Sequence, residues 1–273
     1  MPDTDSLNII FWNIDKKESC FSLIVDVIDE LDADICILAE TPHGIDYRLE
    51  NMLSSGYALL EPSDENAKIK CVYKTCIDIK VTKEFECGRA IGYSIPIGDA
   101  HSVNLVGCHL YDQMRNEAST RYYAASGIHR EICELEEATN CRSTVMIGDF
   151  NMNPFETGMS AAFALNAVMD RKIAMRRSRK HKHKEYPYFY NPMWYFFGHP
   201  ELINGTFYHR TGGESCYWNL LDQVLIRPEL ATKFSHDDIR IITRIKQNNL
   251  LNKAGIISVK HSDHLPIFYK LII

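Results

Sequence analysis

"MIGDFNMNPFE", Met146–Glu156, closes an apolar run (Val145, Met146, Ile147) with a glycine, an aspartate and, two positions on, an asparagine. Glycine, aspartate and asparagine all suit tight turns, so the run can be a buried strand that simply turns. It can also be a strand end that aims two side chains one way. Residues i and i+2 share a face of an extended chain, so Asp149 and Asn151 would present a carboxylate and an amide to the same point. The rest of the sequence decides between the two.

Working outward, short apolar runs alternate with amphipathic ones. "LNIIFWNI" reads as a buried strand, and "FSLIVDVIDEL" follows with Phe21, Val25, Ile28 and Leu31 at helical spacing. "ADICILAE" repeats the strand pattern, and "YRLENMLSSG" reads as a short helix stopped by Gly56. "IKCVYK", "IDIKVTKEFE", "RAIGYSIPI" and "SVNLVGCHL" are expected strands with short, antiparallel connections. Tyr122, Ala125, Ile128, Ile132 and Leu135 mark a long helix leading into the opening stretch. Beyond it we expect a helix at "GMSAAFALNAVMD", strands at "GTFYHR" and "LDQVLIR", and a last strand at "HLPIFYKLI". With no repeat at a solenoid period and no Pro/Gly/Ser linker, the expectation is one layered α/β domain over 1–273.

The 273 residues are 45% hydrophobic and 24% charged, the balance of a globular protein and not of a disordered, fibrous or membrane one. A net charge of -6 argues against wrapping nucleic acid over the whole surface but leaves room for a local basic patch. One lies in "DRKIAMRRSRKHKHKE", with Arg176, Arg177, Arg179 and Lys180 among its cations and no acid between Arg171 and Lys184. Nine cysteines without CxxC spacing read as reduced thiols, neither a disulfide framework nor a zinc site. The N-terminal "MPDTDSLNIIFWNID" lacks a basic start followed by a long apolar stretch, so a cytoplasmic protein is expected.

Several strand-like runs finish on polar residues: Asn13 and Asp15, Glu40, His109, Asp149 and Asn151, with Asp222 and Asp263-His264 opening the last two. Each has an ordinary explanation as a cap, an ion pair or a satisfied core histidine. Together they are the set expected if a ligand site sits at the strand ends of an open α/β sheet.

Their order, in "WNID", "LAET", "GCHL", "GDFN", "LDQV" and "SDHLP", resembles the signature of the endonuclease/exonuclease/phosphatase superfamily, from Asn13 to His264. The resemblance implies a DNase I-like four-layered α/β sandwich: two mixed β-sheets packed face to face with helices outside. It also implies Mg2+ or Mn2+ held by Glu40 and Asp263 with Asn13 or Asp15 close by, because hard carboxylate oxygens suit such ions and zinc less so. His264, oriented by Asp222, would do acid-base work or grip the phosphate. Asp149 and Asn151 would activate and orient the attacking water, and His109 would contact a phosphate oxygen or aid the leaving group. Whether Asp149 or His264 takes the proton stays open. Arg121, on the long helix, could reach a phosphate, and Gln223 departs from the aromatic or aliphatic residue common in relatives.

Three functions fit: a metal-dependent nuclease, a phosphatase or phospholipase acting on inositol phosphates or sphingomyelin-type lipids, and a catalytically inactive binding protein. The intact acid, amide and imidazole set disfavours the last. The insertion at about 171–199, with its basic run followed by eight aromatics between Tyr186 and Phe197, could track a nucleic-acid backbone and stack bases. It could also sit on an anionic membrane, or pack as core under a long loop. Nucleic acid is the expected substrate. No protein partner is read from the sequence, and a monomer is expected.

Overall fold

The first strand, β1 (Ser6–Asn13), is buried on both faces along nearly its whole length. A two-faced strand must lie inside a layered structure, which is why its sequence is a continuous apolar run and not an alternating one. The computed structural model describes residues 6–53, 56–60, 62–64, 67–98, 101–210 and 216–273. After β1 come α1 (Phe21–Glu30), β2 (Ile35–Ala39), α2 (Ile45–Met52), β3 (Tyr57–Leu60), β4 (Ile69–Lys74), β5 (Lys80–Glu84), β6 (Ala90–Ile97) and β7 (His101–His109). The long helix α3 (Ala118–Ala138) leads into β8 (Thr144–Asp149), followed by α4 (Thr157–Ser160), β9 (Ala167–Val168) and α5 (Arg171–Ala174). Short strands β10 (Ser178–His181), β11 (Lys184–Pro187), β12 (Phe189–Tyr190), β13 (Phe207–Tyr208) and β14 (Trp218–Asn219) precede β15 (Asp222–Ile226) and α6 (Pro228–Ala231). The chain ends with β16 (Ile239–Ile241), β17 (Arg244–Ile245), β18 (Asn248–Asn249) and β19 (Ile267–Ile272).

Two mixed sheets result. One runs β16-β19-β1-β2-β4-β3 and joins both ends of the chain; the other runs β5-β6-β7-β8-β15-β12-β9. β1 lies parallel to β2, and β7 parallel to β8; the remaining pairs around them are antiparallel. The two sheets pack against each other through a core that takes Val145 and Ile147 from β8 and Ile37 from β2. A Cβ placed on Gly107 would come within 3.2 Å of the Ile37 side chain, so glycine allows β7 its close approach. The other face of β8 turns to α3: Met146 joins Ile128, Ile132 and Leu135 in a second apolar cluster. Helices therefore lie outside the paired sheets, as the four-layered α/β sandwich requires. No helix among the described residues is long and apolar enough to cross a membrane. All nine cysteines are free.

One expected element fails. "GMSAAFALNAVMD" gives a single helical turn, α4, and then a loop into β9. Asn166 sets this: its backbone is left-handed (φ 53°), and its amide donates to the carbonyls of Tyr186 and Pro187. A residue bonding to chain twenty positions away competes directly with a continued helix.

Against the sheet, α3 carries His129, buried beside the Arg227–Glu136 ion pair (Nε–Oε1 2.7 Å). Burial, then the charge of Arg227, push its pKa down from 6.5 to about 4. The fold prefers the neutral ring, so the unfolded chain binds the extra proton first. Stability should be complete above pH 6.5 and fall as the pH drops from there towards 4, by up to about 3 kcal/mol. Urea midpoints across that range should show the slope, and His129→Leu should flatten it; an unchanged slope in the variant would refute the assignment.

Candidate active site

Strand register assembles the site. β8 is flanked by β7 and β15, and Asp149 is paired across the ladder with His109 on one side and Asp222 on the other. Three titratable side chains thus share one end of one sheet. From the facing sheet, β1 ends at Asn13 and β2 ends just before Glu40. The glycine of Gly-Asp-Phe-Asn is needed because a Cβ at Gly148 would lie 2.1 Å from the Cys108 carbonyl oxygen.

The contacts form a continuous chain. The Asn13 amide donates to Asp149 Oδ2 (3.0 Å) and to Glu40 Oε1 (3.3 Å), joining the two sheets. Its Oδ1, the atom that would face a cation, accepts the Asp15 N–H. His109 Nε2 lies 3.4 Å from Glu40 Oε1 and 3.8 Å from Asp149 Oδ2. His264 Nδ1 meets Asp222 Oδ2 at 2.8 Å, and its Nε2 faces Asp149 Oδ2 at 4.0 Å. Asp149 Oδ1 accepts the Asn151 N–H at 2.8 Å. Asn151 is left-handed (φ 51°), and its amide nitrogen donates to the Leu110 carbonyl. That carbonyl can only accept, which fixes the amide's orientation and leaves Oδ1 as its remaining acceptor. The opening question is settled: the strand does turn after Asp149, and the turn pins carboxylate and amide together.

The electrostatics follow. The His109 hydrogen bond holds the Glu40 carboxyl down at about 2 against the opposing effect of burial, with help from His109's charge, Asn13 and Lys16. Burial works against a charged His264, but Asp222 and Asp149 outweigh it and raise the ring well above its ordinary value. His264 is therefore an imidazolium held against Asp222. The ligand atoms of Asp149, Asp222 and His264 lie within 4.8 Å of one another, a spacing that would also suit an ion. The 2.8 Å bond gives Asp222 to His264 instead.

Asp15 and Asp263 stand to one side. Asp15 pairs with Lys17 (2.7 Å). Asp263, its carboxyl raised by burial, lines a cleft of about 240 Å³ with Phe207, Tyr208 and Arg210. Neither makes a hydrogen bond to Glu40 or Asp149 among the described residues.

The expected phosphate-binding arginines and lysine are placed differently from the cluster. Arg121 is buried, and its Nη1 donates to the Asn151 carbonyl (2.9 Å) and Glu156 Oε2 (2.7 Å), so it braces the turn from behind. Arg177 pairs with Glu229, while Arg179 donates to the Ser160 carbonyl and stacks over Tyr188. Arg176 and Lys180 are exposed. The basic run folds into α5 and the β10–β11 hairpin, whose base joins Tyr188. Tyr190 pairs with Ile226, so this base lies at the end of β15 away from Asp222, about 13 Å along the strand. Of the aromatics that follow, Tyr188, Phe189, Tyr190 and Phe196 are buried. They are core under the insertion, the third of the readings drawn from the sequence.

Residues that the sequence did not single out hold the turn. Gln223, fully buried, donates to the carbonyls of Met152 (2.6 Å) and Leu220 (2.8 Å) and accepts from Asn191. Gln113 reaches the Asn151 carbonyl, and Asn153 bonds Asn219 and the Leu220 N–H. Ser262 Oγ donates to the Asn13 carbonyl and accepts the His264 N–H, tying the two sheets together at the site.

No family model and no curated protein matches this sequence. Solved structures do. Truncated Caenorhabditis elegans TDP2 aligns with a TM-score of 0.62 at 14% identity, covering 98% of this chain and 98% of that one. D. rerio TDP2 complexed with single strand DNA product gives 0.61 at 14% identity, over 98% and 99%. An AP endonuclease from Archaeoglobus fulgidus gives 0.60 at 14% identity, over 96% and 98%. Matched end to end by these structures, with its polar residues gathered at the strand ends of both sheets, the chain has the DNase I-like fold of the endonuclease/exonuclease/phosphatase superfamily.

Proposed function

We propose that this chain is a divalent-metal-dependent phosphodiester hydrolase that cleaves nucleic acid. The observation that carries the reading is the unbroken cluster Asn13–Glu40–His109–Asp149–His264–Asp222, which supplies a base, an imidazolium and a carboxylate facing one point. The donor set fits a hard cation. Glu40 is ionised throughout the neutral range, and the nearest thiol, Cys108, is held protonated by burial. Oxygen ligands without thiolate favour Mg2+ or Mn2+ over zinc. Glu40 would hold the ion, with Asp263 and Asp15 the other carboxylates at hand. Bound there, it would neutralise charge developing on the phosphoryl oxygens.

The remaining work falls to the chain itself. Asn151 Oδ1 accepts a hydrogen bond from the attacking water, and Asp149 takes the water's other proton as the oxygen bonds to phosphorus. His264, kept cationic by Asp222, donates from Nε2 to a non-bridging oxygen and stabilises the added negative charge. His109, whose Nε2–H faces Glu40, lies beside the carboxylates to assist the departing ester oxygen as its bond to phosphorus breaks.

Nucleic acid is favoured over a small phosphate ester by the rim. The loops that brace the site expose Met114 (95%), Phe155 (47%) and Tyr217 (55%), apolar and aromatic surfaces on which bases can stack. The neighbouring TDP2 crystallised with a single-strand DNA product makes single-stranded DNA the first substrate to try. The test is a panel of single-stranded DNA, plasmid, RNA, inositol phosphates and sphingomyelin, with Mg2+ or EDTA. Polynucleotide cleavage should appear with Mg2+ or Mn2+ and vanish in EDTA. Phosphate release from inositol phosphates without polynucleotide cleavage would reject the substrate class.

A further inference from the structure

We propose that Lys17 is a built-in cation for the Asp15 side of the site, so that the centre takes a single divalent ion, at Glu40; this rests on the metal-dependent reading above.

After Asn13 the chain makes an unusual turn, with Asp15 (φ 48°) and Lys16 (φ 53°) both left-handed. Two consecutive non-glycine residues in that region are costly, and such geometry persists only where its surroundings hold it. Here the Lys16 N–H bonds the Glu40 carbonyl (2.7 Å) and the Lys17 N–H bonds the Ile14 carbonyl (2.9 Å). The turn curls the Lys17 side chain back onto Asp15. Its Nζ lies 2.7 Å from Asp15 Oδ2 and donates to the Val259 carbonyl at 3.2 Å, so it is held from two loops. The same ammonium acts on Asp263 together with Asp15, which places all three groups in one electrostatic neighbourhood.

A two-ion centre holds its ions about 3.5–4 Å apart and needs anionic oxygens for each. Asp222 is committed to His264, and Asp149 is engaged by Asn13 and Asn151. A second ion would therefore need Asp15 and Asp263, where an ammonium already provides the positive charge. Lysine at this place supplies charge that chelators cannot strip, whereas Glu40 has only the exposed Lys16 ammonium, 3.9 Å away, as a competing cation.

Mn2+ binding read by electron paramagnetic resonance and calorimetry separates the outcomes. The wild-type protein should bind one Mn2+ per chain, and Glu40→Gln none. Lys17→Met should bind two, because the freed carboxylates gain a cation in place of the ammonium, whereas Lys17→Arg should stay at one. If Lys17→Met does not fold, Lys17→Gln serves in its place. Two ions in the wild-type protein, or one in both folded neutral variants, would overturn the proposal and leave the phosphodiesterase reading standing. No Mn2+ bound to the wild-type protein would overturn that reading as well.

Discussion

Replacing Asp149 with asparagine should lower kcat on a DNA oligonucleotide by about 10³-fold, within the usual range for removal of a general base. The carboxylate is 1% exposed, and both its oxygens are used: Oδ2 accepts from Asn13 and Oδ1 from Asn151. Asparagine keeps one acceptor and turns an amide nitrogen towards a donor, so about 1–3 kcal/mol of stability should go with the activity. A melting curve recorded on the same preparation separates the two effects. A folded variant with wild-type kcat would remove Asp149 from the chemistry.

Asp222→Ala should have the larger combined effect. His264 is buried against this single carboxylate, and removing it leaves an imidazolium without its counter-charge at the meeting of the two sheets. Breaking one side of a buried pair costs about 3–5 kcal/mol. The ring also loses the partner that orients it and keeps it charged, so kcat should fall by about 10²-fold or more in whatever protein remains folded. Urea unfolding and steady-state kinetics on one sample measure both. A variant that loses stability while keeping its turnover would make Asp222 a purely structural residue.

How far the sequence foretold this site depended on where each residue's partners lie. β1, β2, β7, β8 and β15 were readable because both of their faces are buried, which leaves a continuous apolar run ending on a polar residue. Those terminal residues are the site: Asn13, Glu40, His109, Asp149 and Asp222. The turn after α4 was not readable, since Met159 and Leu165 are as apolar and as buried as helix residues would be. What stops the helix is Asn166 reaching Tyr186 and Pro187, and no local pattern announces that.

The supporting layer was hidden for the same reason. Gln223 serves Met152 from 71 positions away, and Arg121 serves Asn151 from 30. Arg121 resembled a surface arginine because helical spacing shows which face it lies on, not what covers that face. Arg177, Arg179 and Lys180 share one composition with any phosphate-binding run. Only the register of β12 on β15 puts the base of their hairpin at the far end of the strand.

The most direct test of the account is a crystal of Asp149→Asn grown with Mn2+ and a short single-stranded DNA. The anomalous signal should place an ion against the Glu40 carboxylate, with a phosphodiester lying between that ion and His264 Nε2. Manganese absent from Glu40, or a DNA backbone that passes the cluster without presenting a phosphate to it, would contradict the account.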